Sequence, residues 1–203
     1  VSYAAIVFRY RQDYLNAKEQ AVLLHAARKT LADTLQEESI KEYQCKAREI
    51  TERLKGKKGV FVTLHKKSRL RGCIGQFEGS EPLHRMIPKT ALLSAFRDTR
   101  FQPLQKDELE DIDIEISILS PMKSVESWQD IVLGRDGIRI EKAGKSALYL
   151  PQVALEQGWG VEETLAHLCE KAGLKSDDWK KNCHLKTFSA QVFGETFRKL
   201  QKD

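Results

Sequence analysis

The 203-residue sequence has no long hydrophobic run. No stretch free of charged residues approaches the roughly 20 apolar residues that a membrane-spanning helix needs. Residues 1–8 show neither a positively charged leader nor a cleavage pattern. We therefore expect no transmembrane helix, no secretion and a cytoplasmic location. With 41% hydrophobic and 31% charged residues, the composition also excludes disordered, collagen-like and coiled-coil chains.

Cysteine is scarce, and the common metal and nucleotide motifs are absent. Cys45, Cys73, Cys169 and Cys183 form no CxxC pair, which is typical of reduced cytosolic thiols. His167 and Cys169 are two positions apart on a predicted helix, so they point to opposite sides and cannot share one ion. The sequence has no P-loop, GxGxxG, GxSxG or HExxH pattern. We predict no metal site and no cofactor.

The net charge of +5 is unevenly distributed along the chain. Residues 41–72 hold eleven basic and three acidic residues, whereas residues 105–136 hold nine acidic and three basic ones. The basic segment is compatible with nucleic-acid binding, but a solvated face balanced by the acidic segment is the more common cause. No helix-turn-helix, zinc-finger or ribonucleoprotein pattern supports nucleic acid, which therefore stays an alternative partner.

Hydrophobic periodicity predicts helices and hairpin strands. Asn16 and Glu19 form a capping-box pattern before the first helix, and residues 40–55 are expected to be a short helix or a loop. Other helices are expected at residues 17–36, 82–96 and 161–172, and strands at 60–65, 70–77, 112–118, 131–133, 138–141, 147–150 and 188–193. Because regular βαβ alternation is absent, we predict an α+β fold with antiparallel sheets flanked by helices.

The segment 70–75 is the most unusual part of the sequence, because Gly72 and Gly75 interrupt a strand pattern. Glycines at such positions indicate a bulge or a close backbone approach. Strand alternation places Arg71 and Cys73 on one face, where the guanidinium would lower the thiol pKa and make the cysteine a nucleophile. The alternative is structural: a buried cysteine, with glycines that let a helix pack closely on the sheet.

A second polar cluster follows the predicted helix 82–96. Arg97 and Arg100 would form an anion site with the hairpin arginine if the sheet brings them together, with Asp98 orienting one guanidinium. Glu115 and Ser117 share the polar face of the strand 112–118 and would line the same cleft, with Glu115 as a base or counter-ion. The simpler interpretation is a helix end and a solvated strand face.

The segment Leu70-Arg71-Gly72-Cys73-Ile74-Gly75 resembles the hallmark of the AMMECR family, named after the Alport syndrome, midface hypoplasia and elliptocytosis chromosomal region. The resemblance spans residues 15–195, leaving 1–14 as an extension and 196–203 as a tail. It continues through GVFVTL (59–64), DTRFQPL (98–104), IEISILS (114–120), LPQV (150–153) and CEKAGL (169–174). It implies two unequal structural subdomains, which need not be continuous in sequence, and a cleft between them near residues 71–75.

The resemblance implies partners but no established reaction. Related bacterial and archaeal proteins look like component A of a system that also contains a Memo-like protein, similar to extradiol dioxygenases, and a radical S-adenosylmethionine enzyme. Our leading hypothesis is an accessory or enzymatic component of that system with Cys73 as its reactive thiol. The alternatives are a nucleic-acid-binding or regulatory module and a protein–protein scaffold.

Overall fold

The computed structural model describes residues 14–195. The expected N-terminal extension, apart from Tyr14, and the expected tail at 196–203 lie outside these residues. In chain order the elements are helix α1 (Ala17–Glu37), strands β1 (Val60–Lys66) and β2 (Arg69–Gln76), helix α2 (Leu83–Phe96), strands β3 (Ile112–Leu119), β4 (Lys123–Ser124), β5 (Gly137–Lys142) and β6 (Lys145–Tyr149), helices α3 (Pro151–Gln157) and α4 (Val161–Lys171), and strands β7 (His184–Phe188) and β8 (Ala190–Gly194).

The strands form two four-stranded antiparallel sheets, in the orders β2-β1-β3-β8 and β4-β7-β5-β6. This arrangement confirms the predicted α+β fold. The described chain divides into two compact units. The first comprises the residues up to Ile118 and from Gln191, and the second runs from Leu119 to Ala190.

The core of the first unit forms where α2 packs against β1 and β2 and α1 packs against α2. Strand alternation buries every second residue of β1 and β3, so Val62 and its neighbour Ile116 are both fully buried. Helix α1 begins at the predicted capping box, in which the Asn16 side chain accepts from the Glu19 amide and Glu19 accepts from the Asn16 amide. The fully buried Leu23 and Leu31 lie on its inner face.

The predicted hairpin is present, with a two-residue turn. Lys67 and Ser68 have φ angles of 51° and 62°, the left-handed conformation that lets a two-residue loop follow the twist of the paired strands. The register shifts by one residue between Leu64 and His65, because Leu64 pairs with Gly72 whereas His65 pairs with Leu70. This bulge lies within the glycine-containing segment 70–75.

The second unit has a core of its own. The β5–β6 hairpin packs against α4, whose Leu165 and Leu168 are fully buried, and Trp179 closes the same cluster. Helix α4 ends before Gly173, which has a φ of 71° and follows the C-cap. Over the described residues, no helix is both long enough and apolar enough to cross a membrane.

Several predicted elements differ from the structure, although residues 40–55 do not. Expected to be a short helix or a loop, they form a loop that contains two 3₁₀ turns, Ala47–Glu49 and Arg53–Lys55. The expected strand at 131–133 is absent, because Ile131 follows a 3₁₀ turn and supplies a core side chain rather than a sheet edge. The expected strand at 188–193 is two strands in different sheets, separated at Ser189, and the short α3, β4 and β7 were not predicted.

Candidate functional site

Cys73 lies on β2, the edge strand of the first sheet, and belongs to a row of polar residues across three strands. Its neighbour on β1 is Thr63, and the neighbour of Thr63 on β3 is Glu115. The Thr63 hydroxyl donates to the Cys73 sulfur at 3.3 Å. Adjacent strands are about 4.8 Å apart, so Thr63 lies between Cys73 and Glu115 on the same face of the sheet. The thiol, the hydroxyl and the carboxylate form the centre of the candidate site.

Gly72 and Gly75 are both explained by close packing. A Cβ on Gly72 would lie 2.2 Å from the Ser94 carbonyl oxygen, so the glycine permits α2 to approach the sheet. The Ser94 hydroxyl donates to the Val62 carbonyl and accepts from the Ile74 amide, which fixes this contact. A Cβ on Gly75 would lie 2.3 Å from the Phe61 ring. Neither glycine needs a ligand to account for it.

Asp98 and Arg100 hold the free edge of β2 at Cys73. The Cys73 amide donates to Asp98 at 2.8 Å, and Arg100 donates to the Cys73 carbonyl at 3.1 Å. Arg100 also donates to both Asp98 oxygens, at 2.9 and 2.7 Å. The pair therefore occupies donor and acceptor positions that a further strand would use, and it fixes the backbone beneath the thiol. The Arg100 guanidinium, opposed in part by burial, lowers the pKa of Asp98 to about 2.

Arg71 does not act on the thiol as the sequence led us to expect. Its guanidinium donates to both oxygens of Glu108, at 3.0 and 2.7 Å, and Lys66 donates to the same carboxylate at 3.0 Å. Arg71 lowers the pKa of Glu108 to about 2, and Glu108 raises the pKa of Arg71. The bulge at Arg71 interrupts the regular alternation on which the expected Arg71–Cys73 pairing depended.

The pKa of the Cys73 thiol is raised, which corrects the expectation of an activated thiolate. Burial is the main cause, and the negative charges of Asp98 and Glu115 add to it. The hydrogen bond from Thr63 and the positive charge of Arg100 oppose the increase without reversing it. These surroundings favour the thiol over the thiolate.

The remaining predicted site residues have different positions. Ser117 is 1% exposed, and its hydroxyl has no hydrogen-bond partner within the described part of the chain. Arg97 is exposed at the end of α2 and lines a separate groove rather than the surroundings of Cys73. The predicted anion site of three arginines is not formed, because Arg71 binds Glu108 and Arg100 binds Asp98. No group of three or more His, Cys, Asp or Glu residues between 14 and 195 could hold a metal ion.

Sequence reasoning missed two residues that govern this site. Thr63 contacts the thiol, and Glu108 takes up the Arg71 charge. Thr63 could be found only from the strand register, which the bulge shifts. Glu108 lies in a 3₁₀ turn, Lys106–Glu108, that carries no hydrophobic periodicity.

Comparisons with known proteins agree with this architecture. The family model described as AMMECR1 matches residues 24–193. A protein of Methanopyrus kandleri is 41% identical over 191 residues, covering 89% of this chain and 90% of its own length. A protein of Thermofilum pendens is 36% identical over 199 residues, covering 90% and 92%. The crystal structure of an uncharacterized protein from Pyrococcus horikoshii matches with a TM-score of 0.82 and 35% identity, over 90% of this chain and 94% of that one.

The fold and the site define an α+β protein of two antiparallel-sheet units with a cysteine on a clamped edge strand. With the family model matching most of the sequence, the chain belongs to the AMMECR1 family. The activity of this family member is not established, so its function is a matter for proposal.

Proposed function

We propose that this protein is an accessory or enzymatic component of a system with a Memo-like protein and a radical S-adenosylmethionine enzyme, and that Cys73 is its reactive thiol. The observation that carries the proposal is the Cys73–Thr63–Glu115 row. The two partner proteins rest on the resemblance to the family. The cytoplasmic location belongs to the same proposal and rests on the absence of a CxxC pair.

A protonated thiol is a weak nucleophile and needs a base. In our proposal Glu115 takes the proton of the thiol as the sulfur forms a bond to an electrophilic carbonyl carbon of the substrate. The carbonyl oxygen then receives that proton, so addition needs no redox partner. The Asp98–Arg100 clamp supports this role because it fixes the Cys73 backbone from both its amide and its carbonyl.

Nucleic acid is the weaker alternative, because the basic segment is partly neutralised. At least five of its eleven basic side chains form ion pairs with carboxylates, two of them with Glu108. These residues are Lys41, Arg53, Lys55, Lys66 and Arg71. Paired cations release few counterions when a polyanion binds, so these five side chains add little to nucleic-acid binding.

The test is a reconstitution of this protein with the Memo-like and radical S-adenosylmethionine proteins of the same genome. Products formed from S-adenosylmethionine, a reductant and a cell metabolite extract would be compared by mass spectrometry with and without this chain. We expect at least one product to require it. Cys73→Ser should abolish that product, and Glu115→Gln should reduce its rate by roughly 100-fold, the usual contribution of a general base.

Matched control variants distinguish the loss of a site residue from a general loss of protein stability. Cys183→Ser alters another half-buried thiol, and Glu110→Gln removes an exposed carboxylate, so both should retain full product formation. If Cys73→Ser forms the product at the wild-type rate, the thiol has no catalytic role. If no product depends on the chain, its assignment to the system is wrong.

A further inference from the structure

A groove of about 800 Å³ lies in the first unit, apart from the residues that contact Cys73. The end of α1 and residues 38–42 form one wall, and α2 with residues 105–106 forms the other. The second wall is continuous because the Leu104 amide donates to the Ala95 carbonyl at 2.8 Å. The volume is within the range of small-molecule sites.

The floor of this groove is apolar and partly open to solvent. Leu93 is 45% exposed and Ile40 is 72% exposed, and Leu35, Leu92 and Phe96 complete the apolar lining. Residues 38–42 are attached to α1 because the Lys41 amide donates to the Thr34 hydroxyl at 3.0 Å. The groove is therefore built from elements that are held in place. An apolar ligand that binds there would be removed from contact with water, which favours binding.

The charges on the two walls have opposite signs. Arg97 and Lys106 lie on the α2 side, and no hydrogen bond or ion pair holds either side chain within residues 14–195. Lys89 also lines that wall but is bound by Glu81 at 2.6 Å. Glu38 and Glu42 lie on the α1 side. An anionic group in the groove would thus be attracted to Arg97 and Lys106 and repelled from the other wall, which fixes its orientation.

We propose that this groove binds a small amphiphile, with its apolar chain on the Leu93 surface and an anionic head group at Arg97 and Lys106. The site is independent of Cys73 and of the function proposed above. A carboxylate and a phosphate share the required chemistry, and the experiment below distinguishes them.

The test is a titration of the full ¹⁵N-labelled chain with dodecanoate, dodecyl phosphate and dodecyltrimethylammonium, each below its critical micelle concentration. We expect dodecanoate or dodecyl phosphate to shift the amide signals of residues 34–42, 89–97 and 105–106 in a saturable manner. The anion with the lower Kd identifies the preferred head group. The cationic amphiphile should bind at least threefold more weakly, the effect of an exposed charge pair.

Matched variants test each half of the ligand. Arg97→Gln should weaken anion binding at least threefold, whereas Arg69→Gln, on an exposed arginine outside the groove, should not change it. Leu93→Gln should weaken it by roughly tenfold through lost apolar contact, whereas Leu155→Gln, at a 62% exposed residue of the second unit, should not. Unchanged Kd in Arg97→Gln, equal binding of the cation, or shifts spread over the whole chain would overturn the proposal.

Discussion

The behaviour of Cys73 depends on neighbours from three chain segments. Thr63 lies beside it on the sheet and Glu115 lies one strand further on, whereas Asp98 and Arg100 hold its backbone. The sequence presents a cysteine with an arginine two positions before it, a pattern typical of a lowered thiol pKa. In the structure that arginine is bound to Glu108, and burial raises the pKa of the thiol instead. Burial of the thiol and the pairing of Arg71 with Glu108 are tertiary features, which the sequence alone does not give.

The Asp98 carboxylate should make folding stability depend on acid pH. Its pKa is about 2 in the folded protein against an ordinary 3.8. A lowered folded pKa contributes stability that is complete above about pH 4 and is lost as the pH falls toward 2. The shift corresponds to roughly 2 kcal/mol. Asp98→Asn should therefore reduce the free energy of unfolding by roughly 2 kcal/mol at pH 7, measured by urea denaturation.

The pH profile of that variant provides the check. The fall in stability between pH 4 and pH 2 should be smaller in Asp98→Asn than in the wild type, although Glu108 also contributes to it. Asp111→Asn, at an exposed aspartate, should keep the wild-type profile. An unchanged acid slope in Asp98→Asn would show that the Arg100 pair does not stabilise the fold.

At the scale of elements, the contact between β2 and α2 depends on one missing Cβ. In Gly72→Ala the new carbon would lie 2.2 Å from the Ser94 carbonyl oxygen, which belongs to the helix backbone and cannot rotate away. We expect a loss of about 1–3 kcal/mol in the free energy of unfolding, the usual cost of overpacking. Denaturant titration measures it.

The matched control for this substitution is Gly160→Ala, where nothing lies within 4 Å of the new Cβ. Its smaller effect should reflect only the preference of the helix cap for glycine over alanine. Equal losses in the two variants would mean that Ser94 is not held against the strand as described.

The β1–β2 hairpin shows which structural features a sequence pattern can predict and which it cannot. Alternation and turn chemistry predicted β1, β2 and their turn, because those signals are local. A regular two-residue hairpin would place Thr63 opposite Gly72, but the bulge places it opposite Cys73. That single-residue shift brings the hydroxyl to the thiol. The side chains of Asp98 and Ser94 bind the backbone of the shifted strand, and local periodicity does not predict such contacts.

At the scale of the whole molecule, the chain crosses between its two units near residues 118–119 and again near 190–191. The second crossing explains why one predicted strand is two. The Ser120 amide donates to the Ser189 carbonyl at 2.8 Å, and the Ser189 amide donates to the Ser120 hydroxyl at 2.9 Å. These bonds end β7 in one sheet before β8 begins in the other. Because the apolar pattern at 188–193 continues through this break, the sequence predicts one strand instead of two.

Two separate cores imply that each unit can lose stability on its own. Leu165 is fully buried in the core of the second unit, so Leu165→Ala should remove about 2–5 kcal/mol of packing free energy there. Amide hydrogen exchange followed by mass spectrometry should then accelerate by at least tenfold in residues 119–190. Peptides from β1 and α2 should keep their wild-type rates.

The reciprocal variant completes the argument about the two cores. Leu31→Ala, at a fully buried residue of α1, should accelerate exchange in the first unit and leave β5 and α4 protected. Leu155→Ala, at an exposed residue of α3, should alter neither pattern. If Leu165→Ala instead accelerated hydrogen exchange in both units to the same extent, the two cores would unfold as one cooperative unit. The two chain crossings would then couple the cores energetically, although each core is packed separately.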